Sequence, residues 1–273
     1  MTRYTHGHGE AVLRSHRWRT AENSAAHLLP HLAPGMRLLD VGSGPGTITA
    51  DLAARVAPER VTALEATEAA LALTEAELRR REVPADLVVG DVLDLPFPDA
   101  SFDIVHAHQV LQHVADPVRA LRELWRVCRP GGVLAVRDAD YGAFAWWPAL
   151  PGLERWRSLY AQAARANGGE PDAGRRLLSW ALAAGVSEAH VGASTWCFST
   201  PDGRAYWGGM WAERITASAL ADQLVEEGRC TRADLEEMSE AWRRWSAAAD
   251  GWFVTVHADL VALRPERPGQ SGT

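Results

Sequence analysis

Between residues 36 and 139, short unbroken apolar runs alternate with segments whose apolar positions recur every three to four residues. The runs "MRLLDVG", "RVTALEA", "ADLVVGDV", "FDIVHAHQV" and "GGVLAVRDA" predict five strands. The intervening "ITADLAARVA", "TEAALALTEAELRRREV" and "DPVRALRELWRVC" predict amphipathic helices, the first closed by Pro58 and the third carrying Pro117 in its first turn. A further helix is expected over 20–33, "TAENSAAHLLPHLA", stopped by the turn at Pro34-Gly35. Val-, Leu- and Ile-rich strands without polar alternation, separated by helices, are the pattern of a parallel sheet buried on both faces. The predicted class is a doubly wound α/β fold.

The texture changes after Asp140. Ten of the twelve tryptophans lie from Trp146 onward, among helical segments such as "GLERWRSLYAQAARAN" and "TRADLEEMSEAWRRWSAAA". Two strand patterns, "EAHVGASTWCFS" and "GWFVTVHADLVAL", flank the later helical block. The simplest division gives a core over 34–200 and 251–264 and a helical cap over 201–250. An N-terminal helical lid segment over 1–33 precedes the core, and a Pro/Gly/Ser-rich tail over 265–273 is expected to be disordered.

Composition narrows the partners. With 28 Lys and Arg against 35 Asp and Glu, the net charge is −7, and no basic cluster marks a nucleic-acid footprint. Cys128, Cys197 and Cys230 form no CxxC pair, which argues against a disulfide framework or a cysteine zinc site. The opening "MTRYTHGHGE" has no secretory apolar segment, and no apolar run is long enough to span a bilayer. A cytoplasmic protein, monomeric or homodimeric, with a small-molecule partner and neither nucleic acid nor a membrane span, is expected.

The stretch "LLDVGSGPGTIT" leads from the first strand into a glycine-dense turn and a helix. Its glycines, Gly42, Gly44 and Gly46, are spaced G-x-G-x-G, not the G-x-G-x-x-G/A of dinucleotide sites, and no lysine makes it a Walker A loop. Phosphate is therefore the weaker ligand. A turn without Cβ atoms lets a bulky ligand lie against the backbone. Glu65 ends the second strand nineteen residues beyond Gly46, where it can hold both hydroxyls of a ribose. Asp91 ends the third, where it can accept from the amine of an adenine. These ends share the carboxyl edge of the sheet, the ligand edge of open α/β folds.

On those residues, together with "ALEAT" and "GDVLDLPFPDASFDIVHAHQVLQHVADPVRALRELWRVCRPGGVLAVRD", the chain resembles the class I S-adenosylmethionine-dependent methyltransferases. The subgroup it is most similar to resembles the C-methyltransferases of ubiquinone and menaquinone biosynthesis and many small-molecule methyltransferases. The resemblance implies a Rossmann-like seven-stranded sheet of order 3-2-1-4-5-7-6, its last strand antiparallel, with a helical cap insertion. It implies S-adenosylmethionine as cofactor. Carried over by position, Asp40, Gly42, Ser43, Gly44 and Gly46 lie near the methionine moiety, Glu65 and Ala66 at the ribose, and Asp91 and Val92 at the adenine. His108 stands at a cofactor-contacting position that is often Ser or Asn.

Methyl transfer needs alignment and exclusion of water, and a base only where the acceptor must lose a proton. Candidate catalytic groups are His108, Asp138 and Asp140, at the ends of strands four and five. The two aspartates are equally readable as turn or helix caps. Candidate substrate contacts are Gln109, Tyr141, Trp146, Trp207 and Trp211, whose indoles suit a flat or hydrophobic acceptor, though most cap tryptophans are expected in the core. Paired glycines in "YWGGMW" suggest mobility, and 4–19 is a candidate lid. The pairs His6/His8 and His106/His108 could each present two imidazoles, but no third ligand is placed, so no metal is expected. His113 is expected to pack at the start of the following helix. Two rival readings are a protein that binds the same cofactor for a non-methylating reaction such as a cyclisation, and an NAD-type oxidoreductase. The second is weakened by the glycine spacing and the lack of a Tyr-x-x-x-Lys pair.

Overall fold

A computed structural model describes residues 18–266. The histidines at 6 and 8, most of the candidate lid and the end of the tail lie outside the described residues. Five parallel strands, β1 (Leu38–Val41), β2 (Val61–Glu65), β3 (Ala85–Val89), β4 (Phe102–His108) and β5 (Cys128–Ala139), form one sheet with three later ones. Those are β6 (Ala145–Trp147), β7 (Ala189–Phe198) and β8 (Trp252–Leu263). Strand β8 lies antiparallel between β5 and β7, so the main order is β3-β2-β1-β4-β5-β8-β7. Setting β6 aside, this is the expected seven-stranded order with its antiparallel last strand. The eighth strand is a correction: "AWW" at 145–147 pairs with the start of β8 (Trp146 opposite Phe253), where β5 has already ended.

Helix α1 (Ala21–Ser24) and a 3-10 turn at Leu29–His31 replace the single helix expected over 20–33. Asn23 accepts from the Thr20 backbone N–H and donates to the Trp18 carbonyl, while Ser24 donates to Asn23. Such short polar side chains offer the backbone an alternative to helix continuation, and Pro30 withholds a donor further on. Helices α2 (Thr47–Val56), α3 (Glu68–Arg80) and α4 (Pro117–Val127) match the sequence pattern closely. In α4, Asp116 caps the Arg119 N–H, and Ala120, Leu121, Leu124 and Val127 bury one face against the sheet.

One face of the sheet packs under α2 and the segment around Leu28, with Leu38, Leu52, Val56 and Ile104 fully buried. The opposite face packs under α4 and α6 (Leu177–Ala184). A third cluster lies beyond the carboxyl ends of β4 and β5. There α5 (Pro151–Ala166) joins α7 (Pro201–Arg214), α8 (Ala219–Glu226) and α9 (Arg232–Ala247). Trp156, fully buried, meets Trp211 and Trp242 edge to face at 4.5 and 4.9 Å between ring centroids. The glycine pair of "YWGGMW" sits inside α7 rather than in a mobile link. A Cβ on Gly208 would lie 2.7 Å from the Ser246 Cβ, so this glycine lets α7 approach α9 closely.

No helix among the described residues is long and apolar enough to cross a membrane.

Candidate active site

The glycine turn is built from backbone that only glycine adopts easily: φ is +73° at Gly42, +55° at Gly44 and +82° at Gly46. The Leu64 carbonyl accepts from the Gly42 N–H at 2.8 Å, and the Thr74 hydroxyl donates to the Gly44 carbonyl at 2.6 Å. Ser43 spends its hydroxyl on Thr74 at 2.9 Å. A Cβ on Gly42 would meet the Val110 Cγ2 at 2.4 Å, whereas at Gly44 no atom of the described residues comes closer than the Gly42 carbonyl oxygen at 4.0 Å. The turn is thus clamped from below and open at Gly44. Glu65 stands at its rim, accepting from the Gly44 N–H at 2.6 Å and from the Ala66 N–H at 3.2 Å. Asp91 is exposed and accepts from the Leu93 N–H, beside a buried Val92.

Asp40, expected near the methionine moiety, lies buried at the base of the turn. It is 2% exposed, and its two carboxylate oxygens bind His106 Nδ1 at 2.8 Å and the Thr49 hydroxyl at 2.6 Å. Its carboxylate fastens β1, β4 and α2 beneath the turn. A Cβ-free surface with a carboxylate at its rim suits a nucleoside-bearing cofactor. Glu65 would take the ribose hydroxyls and Asp91 the adenine amine.

Beyond β4 the register aligns His108 with Arg137 of β5, Arg137 with Asp259 of β8, and Ala139 with His257. All therefore point to one face, joined there by Ser194 and Trp196 of β7. The Arg137 Nε binds the Ser194 hydroxyl at 2.9 Å and Asp259 at 3.0 Å, and its guanidinium carbon sits 4.8 Å from the Trp196 ring centroid. Burial lowers the Arg137 pKa to about 10. His108 is buried with neither ring nitrogen hydrogen-bonded. Burial first, then the Arg19 and Arg137 charges, holds His108 well below the usual imidazole range; His257 is lowered likewise, the Arg137 charge preceding that of Arg19.

A small cavity of about 20 Å³, room for roughly one water, lies between this edge and the cap. Four of the five expected substrate contacts line it: Gln109, Tyr141, Trp207 and Trp211. Gln109 holds a left-handed backbone, φ +56°, its N–H donating to the Arg137 carbonyl and its amide nitrogen 3.0 Å from His257 Nε2. Such strain in a non-glycine residue persists where the surroundings over-determine it. Trp146 is elsewhere, stacked on Phe253 at 5.6 Å with Arg157 over its ring.

The candidate carboxylates are both engaged away from the cavity. Asp138 projects to the opposite face, accepts from the Gln112 N–H at 3.0 Å, and is pushed by burial up to about 7. Asp140 accepts from the Ala143 N–H and takes both Nε (2.6 Å) and Nη2 (2.5 Å) of Arg175. His113 contacts Gln112 at 3.0 Å, and burial lowers its pKa to about 3. Sequence reasoning missed Arg137, His257, Thr255, Arg19 and Arg214 as wall or neighbouring groups. One signal existed: in "FVTVHADL", Thr255, His257 and Asp259 place three polar residues at period two in a buried strand.

Fold and site together define a doubly wound α/β protein with a glycine-dense turn at the carboxyl edge of its sheet and a helical, aromatic-rich cluster beyond the ends of β4 and β5. The methyltransferase-domain family matches residues 39–136. An uncharacterised methyltransferase of Schizosaccharomyces pombe is 34% identical over 275 residues, covering 96% of this chain and 97% of that one. A probable methyltransferase of Aspergillus luteorubrus is 26% identical over 280 residues, with the same coverage of both chains. The chain belongs to the class I S-adenosylmethionine-dependent methyltransferases. Among solved structures, the cyclase SpnF aligns with a TM-score of 0.55 at 23% identity, over 94% of this chain and 82% of that one. At that identity the likeness concerns the fold alone.

Proposed function

We propose that this methyltransferase acts on a small aromatic or hydrophobic acceptor held between the sheet edge and the cap. The observation that carries the reading is the cavity itself. Tyr141, Phe144, Trp196, Trp207 and Trp211 wall it with rings, and its Gln109 and Ala139 stand at the carboxyl ends of β4 and β5, the sheet edge that also carries the glycine turn and Glu65. S-adenosylmethionine, when bound, would supply an electrophilic methyl carbon on a sulfonium for in-line displacement. The turn at Gly42–Gly46 would supply the backbone surface for that cofactor, and Glu65, Ala66, Asp91 and Val92 would hold its nucleoside. Gln109, fixed by its backbone strain and its bond to His257, orients the acceptor at the end of β4. The indoles exclude water and restrict the acceptor to near-attack geometry. Where the acceptor carries a proton, His108 is the candidate to receive it, being neutral at physiological pH.

The test is formation of S-adenosylhomocysteine from S-adenosylmethionine with a panel of flat phenols, anilines and aromatic acids, and a Trp207→Ala variant alongside. Turnover with a weakened KM in the variant supports the reading. Conversion of a substrate without S-adenosylhomocysteine would replace it with the non-methylating alternative, and binding of a nicotinamide cofactor instead would replace it with an oxidoreductase.

A further inference from the structure

The hydrogen-bonding capacity left over in the cavity is one-sided. Trp207 and Trp211 line it, are 7% and 1% exposed, and their indole N–H groups have no partner. His257 lines it too, 1% exposed, with Nδ1 unpartnered. Because the Gln109 amide nitrogen donates to His257 Nε2, the proton of this neutral imidazole sits on Nδ1, making it a third waiting donor. A buried donor without an acceptor is costly, and three on residues that line one cavity point to acceptor atoms that arrive with a ligand.

Charge points the same way. Arg19 and Arg214 both line the cavity, and among the described residues no Asp or Glu does, in a chain of net charge −7. Their guanidinium carbons lie 5.5 Å from the Trp196 centroid and 4.5 Å from the Trp211 centroid. Just behind Trp196 stands Arg137, 1% exposed, whose Nη1 and Nη2 have no hydrogen-bond partner. Cations and donors gathered against aromatic walls form a site for an oxygen that carries negative charge on a ring.

We infer that the acceptor is an aromatic molecule bearing an anionic oxygen group, a carboxylate or an ionised phenol, received by the indole N–H groups of Trp207 and Trp211, His257 Nδ1 and the Arg19 and Arg214 charges. This rests on the aromatic-acceptor reading above and adds the charge that the acceptor carries. In the present cavity only a water-sized group fits, so the ring itself requires the cap to move outward.

Isothermal titration of the full chain, saturated with S-adenosylhomocysteine, against 2-naphthoate, 2-naphthamide and 2-naphthol separates the possibilities. The first two are near-isosteric and differ in charge. A 2-naphthoate affinity about tenfold or more above that of the amide, falling as KCl is raised while the amide is unaffected, assigns a carboxylate. Binding of 2-naphthol with proton release to the buffer assigns a phenolate; either outcome supports the inference. Arg214→Gln should remove most of the preference and Arg214→Lys retain it, and the wild-type comparison stands even if a variant fails to fold. Equal affinity for naphthoate and naphthamide, with no proton release from naphthol, overturns the anionic site and leaves the aromatic cavity standing. No binding of any of the three overturns both.

Discussion

Acidification should destabilise this protein through histidines that its fold keeps neutral. Burial lowers the pKa of His27 and His113 to about 3 and holds His108 and His257 well below the ordinary value of 6.5. A depressed folded pKa gives stability that is present above the unfolded value and lost as pH falls below it. Going from about pH 7.5 to about pH 5.5, each of the four takes up a proton only when unfolded, costing about 1.4 kcal/mol apiece. Asp138 works in the opposite direction. Its folded pKa is raised to about 7 from 3.8, so its stabilisation grows as pH falls through that window. It returns about 2 kcal/mol over the same interval. The net expectation is a loss of about 3 to 4 kcal/mol, a large share of a typical domain's 5–15 kcal/mol. Urea denaturation followed by tryptophan fluorescence at both pH values measures it, and His108→Gln should reduce the loss by about 1.4 kcal/mol. Stability that is flat or rising on acidification would refute the picture of four imidazoles kept neutral by the fold.

Four substitutions probe the rest of the site. Glu65→Gln, which keeps the shape but removes the charge at the rim of the turn, should weaken S-adenosylhomocysteine binding by about tenfold or more, at about 1.5–3 kcal/mol for a charged hydrogen bond; unchanged calorimetric affinity would remove Glu65 from the cofactor site. Gly42→Ala forces a Cβ to 2.4 Å from Val110 Cγ2 at a φ of +73° and should lose both stability and cofactor binding, with Val110→Ala in the same chain restoring part of the loss. Trp156→Ala should lower the unfolding free energy by about 3–5 kcal/mol, since its ring is fully buried among Trp211, Trp242 and Phe253; a change under about 1 kcal/mol contradicts that packing. Asp138→Asn should leave turnover within a few fold, because the carboxyl faces away from the cavity, and a hundredfold loss in a folded variant would restore a proton-transfer role to it.

The sheet was legible because its signal is local. Apolar runs such as Leu38–Val41 are buried on both faces, and their carboxyl ends place Glu65 and Asp91 on one edge. The helix over 20–33 was misread because periodicity alone does not register the side chain–backbone bonds of Asn23 and Ser24. Aromatic cap residues were read by type, so Trp207 and Trp211 fell in the cavity wall, while Trp146, of the same type, stacks on Phe253 away from it. What sequence could not supply was pairing across distance. The neighbours of His108 are Arg137, Trp196 and His257, brought together only by the register of β5, β7 and β8.

Those cross-strand neighbours also bear on where the acceptor's proton goes. Asp138 and Asp140 would be the natural bases by position, yet one lies on the far face and the other is held in both directions by Arg175. The imidazoles beside the cavity are neutral, but a base is most useful when its pKa lies near the working pH. Burial and the charges of Arg19 and Arg137 hold His108 and His257 far below that. The same cations that weaken these bases favour an ionised oxygen on a ligand. An acceptor that enters as an anion has already given up its proton to solvent. Among the described residues, the lack of a well-tuned base beside the cavity and the unpaired donors on its lining residues are then two consequences of one charge distribution, set by arginines on an otherwise acidic protein.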